Sequence, residues 1–249
     1  MSRQRVIRGI VFDKDGTLLD FDATWMPAFR RIANHASGGD EALGARLLAI
    51  GGFCEKGEYI KSDSLFASGN SCSIAEAWEP HVAEAHRNGL ARMIEEAFLD
   101  EGARHSCALF DVAALFTRLK ASGMTIGIAS SDSEHGIRNT LGGMNVLPLI
   151  DYYCGYDSGL GFKPEAGMIE GFCIATGLAA YQIAVVGDNP HDLEMGRNAG
   201  VALNIGVLSG NSTAAELAPL ADEILPSAQE IGNVIPLETP HFLSGKPRS

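Results

Sequence analysis

Apolar runs and helical periodicities divide this chain into two kinds of segment. Residues 5–12 end in the run Ile10, Val11, Phe12 and predict a buried strand. The next comparable strand, MTIGIAS at 124–130, comes only after a long interval. Within that interval WMPAFRRIANHA, ALGARLLAI and SIAEAWEPHVAEAHRNGLARMIEEAF repeat apolar residues at spacings of three and four, and the Gly/Ser-rich pieces ASGGD and ASGNSCS separate them. The pattern predicts an all-helical insert. From Leu109 onward helix and strand alternate: DVAALFTRLKASG, TIGIAS, SEHGIRNTLGG, LIDYYCG, PEAGMIEGFCIATG, QIAVVGD, PHDLEMGRNAG and VALNIGV. A helix AAELAPLA, a short strand DEILP and a final helix follow, and the tail PHFLSGKPRS reads as irregular. Such alternation predicts an α/β fold with a doubly wound parallel sheet covered by helices on both faces. The organisation expected is a core of residues 1–19 plus 106–249, with residues 20–105 inserted as a helical cap.

Composition narrows the function. A hydrophobic fraction of 46% allows a substantial core in 249 residues. The formal charge of -12 and a pI near 5.0 argue against a nucleic-acid partner, which calls for a basic face. The five cysteines are scattered without a C-x-x-C pair, which predicts neither a disulfide framework nor a zinc site. The apolar run after the N-terminal arginines is short and stops at Asp13, so no signal peptide and no membrane partner are expected, and the expected location is the cytoplasm.

Four patches carry candidate chemistry. In the first, DKDGT, Asp13 and Asp15 follow the strand directly, Gly16 permits a tight turn, and the Thr17 hydroxyl can bind an anion or hold that turn. A carboxylate with an ordinary pKa of about 3.9 is ionised at neutral pH and needs no base to act as a nucleophile. To meet an anionic substrate it requires a cation between the two, and a hard divalent ion with oxygen ligands, Mg2+, suits that task. The second patch ends a core strand with Ser130, Ser131 and Asp132, where a serine hydroxyl and the N–H groups of a helix start form an anion cradle. The third places Lys163 before Pro164, at the predicted start of a helix; it reads equally as a solvated surface lysine or as a lysine held against the helix dipole by a local anion. In the fourth, IAVVGDNPHD, Asp188 ends another core strand and Asp192 lies in the first turn of the helix begun by Pro190. Asp188 can share a metal with Asp13, and Asp192 can pair with Lys163.

With DKDGT, the Ser130 strand end, Lys163 and GDNPHD in this order, the chain resembles the haloacid dehalogenase superfamily, more closely its phosphoglycolate-phosphatase-like branch. The resemblance implies that Asp13 is the nucleophile and a magnesium ligand. It makes Asp15 the general acid/base, with its backbone carbonyl on the metal. Ser130 and its neighbour Ser131 then bind phosphate, Lys163 stabilises the charged intermediate, Asp188 ligates magnesium, and Asp192 and Thr17 support the site. Serine at position 130 replaces the family's commoner threonine and keeps the hydroxyl. The implied activity is magnesium-dependent hydrolysis of a small phosphorylated metabolite, 2-phosphoglycolate first, through an aspartyl-phosphate. A sugar-phosphate mutase is the alternative enzyme, and a catalytically silent binding protein the alternative from another class. In the insert, Lys56, Lys61, Arg30 and Arg31 are the candidates for contacting an anionic leaving group.

Overall fold

The computed structural model describes residues 6–62 and 64–237. The strands β1 (Gly9–Phe12), β4 (Thr125–Ala129), β5 (Tyr152–Cys154), β6 (Ile183–Gly187), β7 (Leu203–Val207) and β8 (Glu223–Leu225) form one sheet in the order β5-β4-β1-β6-β7-β8. Every pairing is parallel, and β1 lies in the middle, with Phe12 opposite Ile128 of β4 on one side and Val186 of β6 on the other. The strand alternation explains why this sheet is covered twice. Ile10 and Phe12 point into a cluster with Phe116 and Leu119, while Val11 points into the opposite cluster with Met168 and Phe172. Each such ring or branched chain, fully buried, contributes roughly 1.5–3 kcal/mol.

Between β1 and β4 the chain runs through α1 (Phe21–Ala36), α2 (Glu41–Gly51), β2 (Phe53–Cys54), β3 (Tyr59–Ile60), α3 (Leu65–Ser68), α4 (Ser71–Trp78), α5 (Glu84–Arg87), α6 (Leu90–His105) and α7 (Val112–Ala121). Helices α1, α2, α3, α4 and α6 build a hydrophobic cluster of their own around Phe29, Phe66 and Trp78, with Phe29 and Phe66 stacked at 3.9 Å between ring centroids. Asp20, Asp40 and Asn70 cap α1, α2 and α4 by accepting backbone N–H groups, which fixes where those helices begin. Two features differ from the helical pattern read in the sequence. Gly52, at φ 110°, ends α2 and lets the chain form the small antiparallel pair β2–β3. The stretch 73–98 is interrupted around Pro80 and again at Gly89, whose φ of 78° breaks helical geometry, giving α4, α5 and α6 in place of one long helix.

The insert enters and leaves through a neck of paired backbone. Asp20 N–H donates to the Cys107 carbonyl at 2.8 Å, and Leu109 N–H donates to Leu18 at 3.0 Å.

The second half of the core continues with α8 (Glu134–Leu141), α9 (Gly167–Thr176), α10 (Pro190–Ala199) and α11 (Ala214–Leu217) after β4, β5, β6 and β7. The helix predicted after β8 is a short 3-10 segment, Ala228–Asn233. The helix predicted to begin at Pro164 begins at Gly167, because the chain first makes a turn in which Glu165 N–H donates to the Phe162 carbonyl at 2.7 Å. The tail from Pro240 lies outside the described residues.

Candidate active site

Asp13, Ser130 and Asp188 emerge from the carboxyl ends of three neighbouring strands, β1, β4 and β6. This is the edge of an open α/β sheet where crossovers leave in opposite directions and a crevice opens. Asp13 continues the ladder, its N–H donating to the Val186 carbonyl at 2.8 Å. The chain then turns sharply: Leu18 and Leu19 N–H groups both donate to the Lys14 carbonyl, and Gly16, at φ 83°, permits the reversal. A Cβ on Gly16 would lie 2.5 Å from Asp188 Oδ2, and one on Gly210 would lie 1.9 Å from the same oxygen. Main chain on two sides therefore fixes the Asp188 carboxylate. The Thr17 hydroxyl holds it on a third, donating to Oδ1 at 3.1 Å, and Asn211 N–H donates to Oδ2 at 3.3 Å.

Lys163 sits between two carboxylates. Its ammonium donates to Asp13 Oδ1 at 2.5 Å and to Asp192 Oδ1 at 2.6 Å, nearly out of contact with solvent. It is neither solvated nor opposed by a helix dipole, since α9 starts four residues later. Burial pulls the lysine pKa down, but the two aspartates more than offset it and leave it raised. Asp192 is oriented in turn as part of the capping box of α10, accepting the Asn189 N–H at 3.0 Å.

Asp13, Asp188 and Asp192 each offer an oxygen within 4.8 Å of the others. Burial, opposed by Lys163 and reinforced by Asp192 and Asp15, raises the Asp13 pKa to about 7. Burial together with Asp13 and Asp192 holds Asp188 well above the usual carboxylate range. Three buried carboxylates thus face one ammonium. An all-oxygen donor set with this surplus of negative charge fits a hard divalent cation, and magnesium is the ion such a set suits.

Asp15, the other acid of the opening motif, turns its side chain away from that cluster. Lys14, with no solvent exposure, places Nζ 2.6 Å from Asp15 Oδ2 and 3.2 Å from Asp132 Oδ2. From α1, Trp25 Nε1 donates to Asp15 Oδ1 at 2.6 Å, and the Lys14 ammonium lies 4.8 Å from the centroid of that indole. Burial raises Asp132 to about 6 against the opposing pull of Lys14. The second carboxyl is therefore held separately from the cluster, on the side of the cleft that faces the insert.

At the end of β4 the structure corrects one expectation. The N–H groups of the helix start are not open to an anion: Asp132 N–H is taken by Ser130 Oγ at 3.1 Å, Ser133 N–H by Asp132 Oδ1 at 2.8 Å, and Glu134 N–H by Asp157. Ser130 and Ser131 still line the cleft beside Asp13 and Lys163.

A cleft open to solvent lies between the strand ends and the insert. Lys56, Lys61, Arg30 and Arg31 do not line it. Arg31 lies on the outer face of α1, paired with Asp100 and Glu101 of α6, and the other three are exposed. The lining instead includes Glu95 and Tyr156, which the sequence reading did not single out, as it did not single out Lys14 or Trp25. Lys14 stood in view inside the opening motif. For Trp25 and Glu95 the sequence holds only a place in a helical repeat.

The carboxylate cluster thus lies at the strand ends of a doubly wound sheet, under an insert, where open α/β sheets bind their ligands. The family model of haloacid dehalogenase-like hydrolases matches residues 7–200, and the chain belongs to that family. No match is found among curated proteins. Solved structures similar to the chain include a candidate phosphoglycolate phosphatase of Haemophilus somnus 129PT, with TM-score 0.70 and 18% identity over 94% of this chain and 99% of that one. CbbY of Rhodobacter sphaeroides, solved in complex with phosphate, gives TM-score 0.67 and 19% identity over 91% and 97% of the two chains. A candidate β-phosphoglucomutase of Thermotoga maritima gives TM-score 0.66 and 18% identity over 92% and 98%. At these identities the likeness is one of fold. Among the described residues no helix is long and apolar enough to cross a membrane.

Proposed function

We propose that this hydrolase is a magnesium-dependent phosphatase that cleaves a small phosphomonoester through an aspartyl-phosphate on Asp13, with residues 20–105 as its cap. The observation that supports this most is the division of labour between the two acids of the opening motif. Asp13 lies in the carboxylate cluster against Lys163, while Asp15 is held apart by Lys14 and Trp25. A nucleophile and a separate proton carrier are what a two-step phosphoryl transfer requires.

Asp13 attacks phosphorus in line, and Asp15 passes a proton to the departing alkoxide oxygen. Asp15 then takes a proton from the water that attacks the acyl phosphate, and Asp13 is released. Ser130, Ser131 and Lys163 hold the phosphoryl oxygens during both steps, and Asp192 keeps Lys163 directed at the cluster. Magnesium would be held by Asp13, Asp188 and the Asp15 carbonyl, with Asp192 alongside, and would neutralise charge between carboxylate and phosphate.

The names of relatives support 2-phosphoglycolate as one substrate within this class and a mutase as a second activity. The insert side of the lining offers no lysine or arginine for a carboxylate, and its polar groups, Ser68, Asn70, Ser71 and Glu95, do not by themselves select a sugar. Hydrolysis of an aryl phosphate with magnesium tests the reading. Turnover should vanish with a chelator and in Asp13→Asn, with an acid-stable phosphate label on the wild-type chain absent from that variant. Full activity in purified Asp13→Asn would overturn the covalent route.

A further inference from the structure

Beyond the carboxylates the cleft continues into the insert, and the apolar side chains it meets there are Phe21, Trp25, Phe29, Phe66, Ile74 and Phe98. These residues also pack the insert against itself, so aromatic rings alone say little about a ligand. Glu95 changes that reading. It stands on α6 in the same wall, and its carboxylate accepts hydrogen bonds from the Ser133 hydroxyl at 2.8 Å and the Tyr156 hydroxyl at 3.1 Å. Tyr156 is itself braced by Ser71 of α4 at 3.2 Å. Two neutral hydroxyls orient this carboxylate without cancelling its charge. Among the described residues Lys163 is the one lysine or arginine lining the cleft, and Asp13 and Asp192 already engage it.

We propose that the alcohol portion of the substrate is apolar, in part aromatic, and carries a positively charged nitrogen that pairs with Glu95, rather than a second anionic group. This rests on the phosphomonoester reading above and specifies its leaving group. The charge balance carries it: a phosphate can be met by Lys163 and a divalent ion, whereas a second anion on the insert side would face Glu95, with Lys14 already shared by Asp15 and Asp132 and no lysine or arginine of the lining left to receive it. Rings on the insert side offer an apolar wall, and an oriented, unpaired carboxylate supplies the counter-charge. A carboxylate-bearing alcohol such as glycolate fits this wall poorly.

Four phosphomonoesters decide the matter: phenyl phosphate, para-aminomethylphenyl phosphate, para-carboxyphenyl phosphate and phosphoglycolate, each with magnesium. The kcat/KM of the amine should exceed that of the carboxylate analogue by about a hundredfold, and Glu95→Gln should cut the amine-to-phenyl ratio by about tenfold. Comparing each variant with wild type on the same compounds cancels their intrinsic reactivities. Either a carboxylate ester as best substrate, or an amine-to-phenyl ratio unmoved in Glu95→Gln, overturns the proposal. Binding of the same four compounds to Asp13→Asn, followed by calorimetry with magnesium, reads the pocket without turnover. Should no phosphomonoester be hydrolysed, the phosphatase reading falls, and the order of affinities in that variant still decides the leaving group. The amine bound tightest upholds the pocket assignment, and the carboxylates bound tightest overturn it.

Discussion

Trp25 of the insert donates its indole N–H to Asp15 of the core at 2.6 Å, so the side chain proposed to carry the proton is aimed by a residue on the other side of the cleft. A buried indole N–H requires an acceptor, and here the acceptor is a carboxylate of the opening motif. The seating of the insert and the direction of Asp15 are therefore one arrangement.

Trp25→Phe keeps most of the ring contact with Phe98 and removes the donor. A hydrogen bond to a charged group contributes about 1.5–3 kcal/mol, so kcat for an aryl phosphate should fall roughly ten- to a hundredfold. The melting temperature should fall by several degrees as well, so kcat is compared far below both transitions. A variant with unchanged kcat would show that Asp15 needs no such partner.

Lys14 is buried between Asp15 and Asp132 with no exposure. Removing one member of a buried ionic group strands the others, at a cost of about 3–5 kcal/mol. Lys14→Met should therefore lower stability in denaturant unfolding by that order. Adding Asp132→Asn should restore part of the loss, because one stranded carboxylate has gone; a strictly additive double variant would refute this coupling.

Gly210→Ala places a Cβ where Asp188 Oδ2 now lies, 1.9 Å away, and must displace that carboxylate. Magnesium affinity, read from activation of turnover, should weaken by about tenfold or more. The same substitution at Gly200, where an added Cβ meets no neighbouring atom within 4 Å but φ is 70°, should disturb helix termination and leave magnesium activation as in wild type.

Asp13 titrates near 7 in the metal-free fold, raised by burial from its ordinary 3.8. Between those values the folded chain keeps a proton that the unfolded chain has lost. Stability of the metal-free protein is thus fully supported below the lower value and declines as pH rises through the upper one, and Asp188 acts in the same direction. Magnesium takes the place of the proton. Its effect on the melting temperature should be larger at about pH 8 than at about pH 5, and equal shifts at both would argue against metal binding by this cluster.

Which parts of this arrangement can be read from the sequence depends on whether the signal is local. Buried strands announce themselves as apolar runs, and a carboxylate directly after such a run, as at Asp13 and Asp188, is placed by the strand itself. Lys163 could be named from its neighbours, but not the site it enters, because the turn from Phe162 to Glu165 delays α9 and frees the lysine to reach across to Asp13. Trp25 and Glu95 read only as members of helical repeats. What they face is decided by how α1 and α6 cross and by how α6 meets the start of α8, and no short window of sequence contains that information. A lysine between two acids reads as a surface residue, since lysines are almost never fully buried unless paired. Only the fold shows the two partners that make its burial tolerable.

The neck of backbone pairs joining Leu18 and Asp20 to Leu109 and Cys107 has a consequence for the history of such a molecule. Because the inserted segment departs and returns at one spot, its ends are already together, and changing its length hardly alters the entropy of closing the loop. Recombination could replace everything between those two junctions while the catalytic strands stayed as they are. On the function proposed, selectivity for the alcohol and competence toward the phosphate would then be inherited as separable modules. Trp25 is the exception, since any replacement segment would have to supply a new donor for Asp15 at the same place.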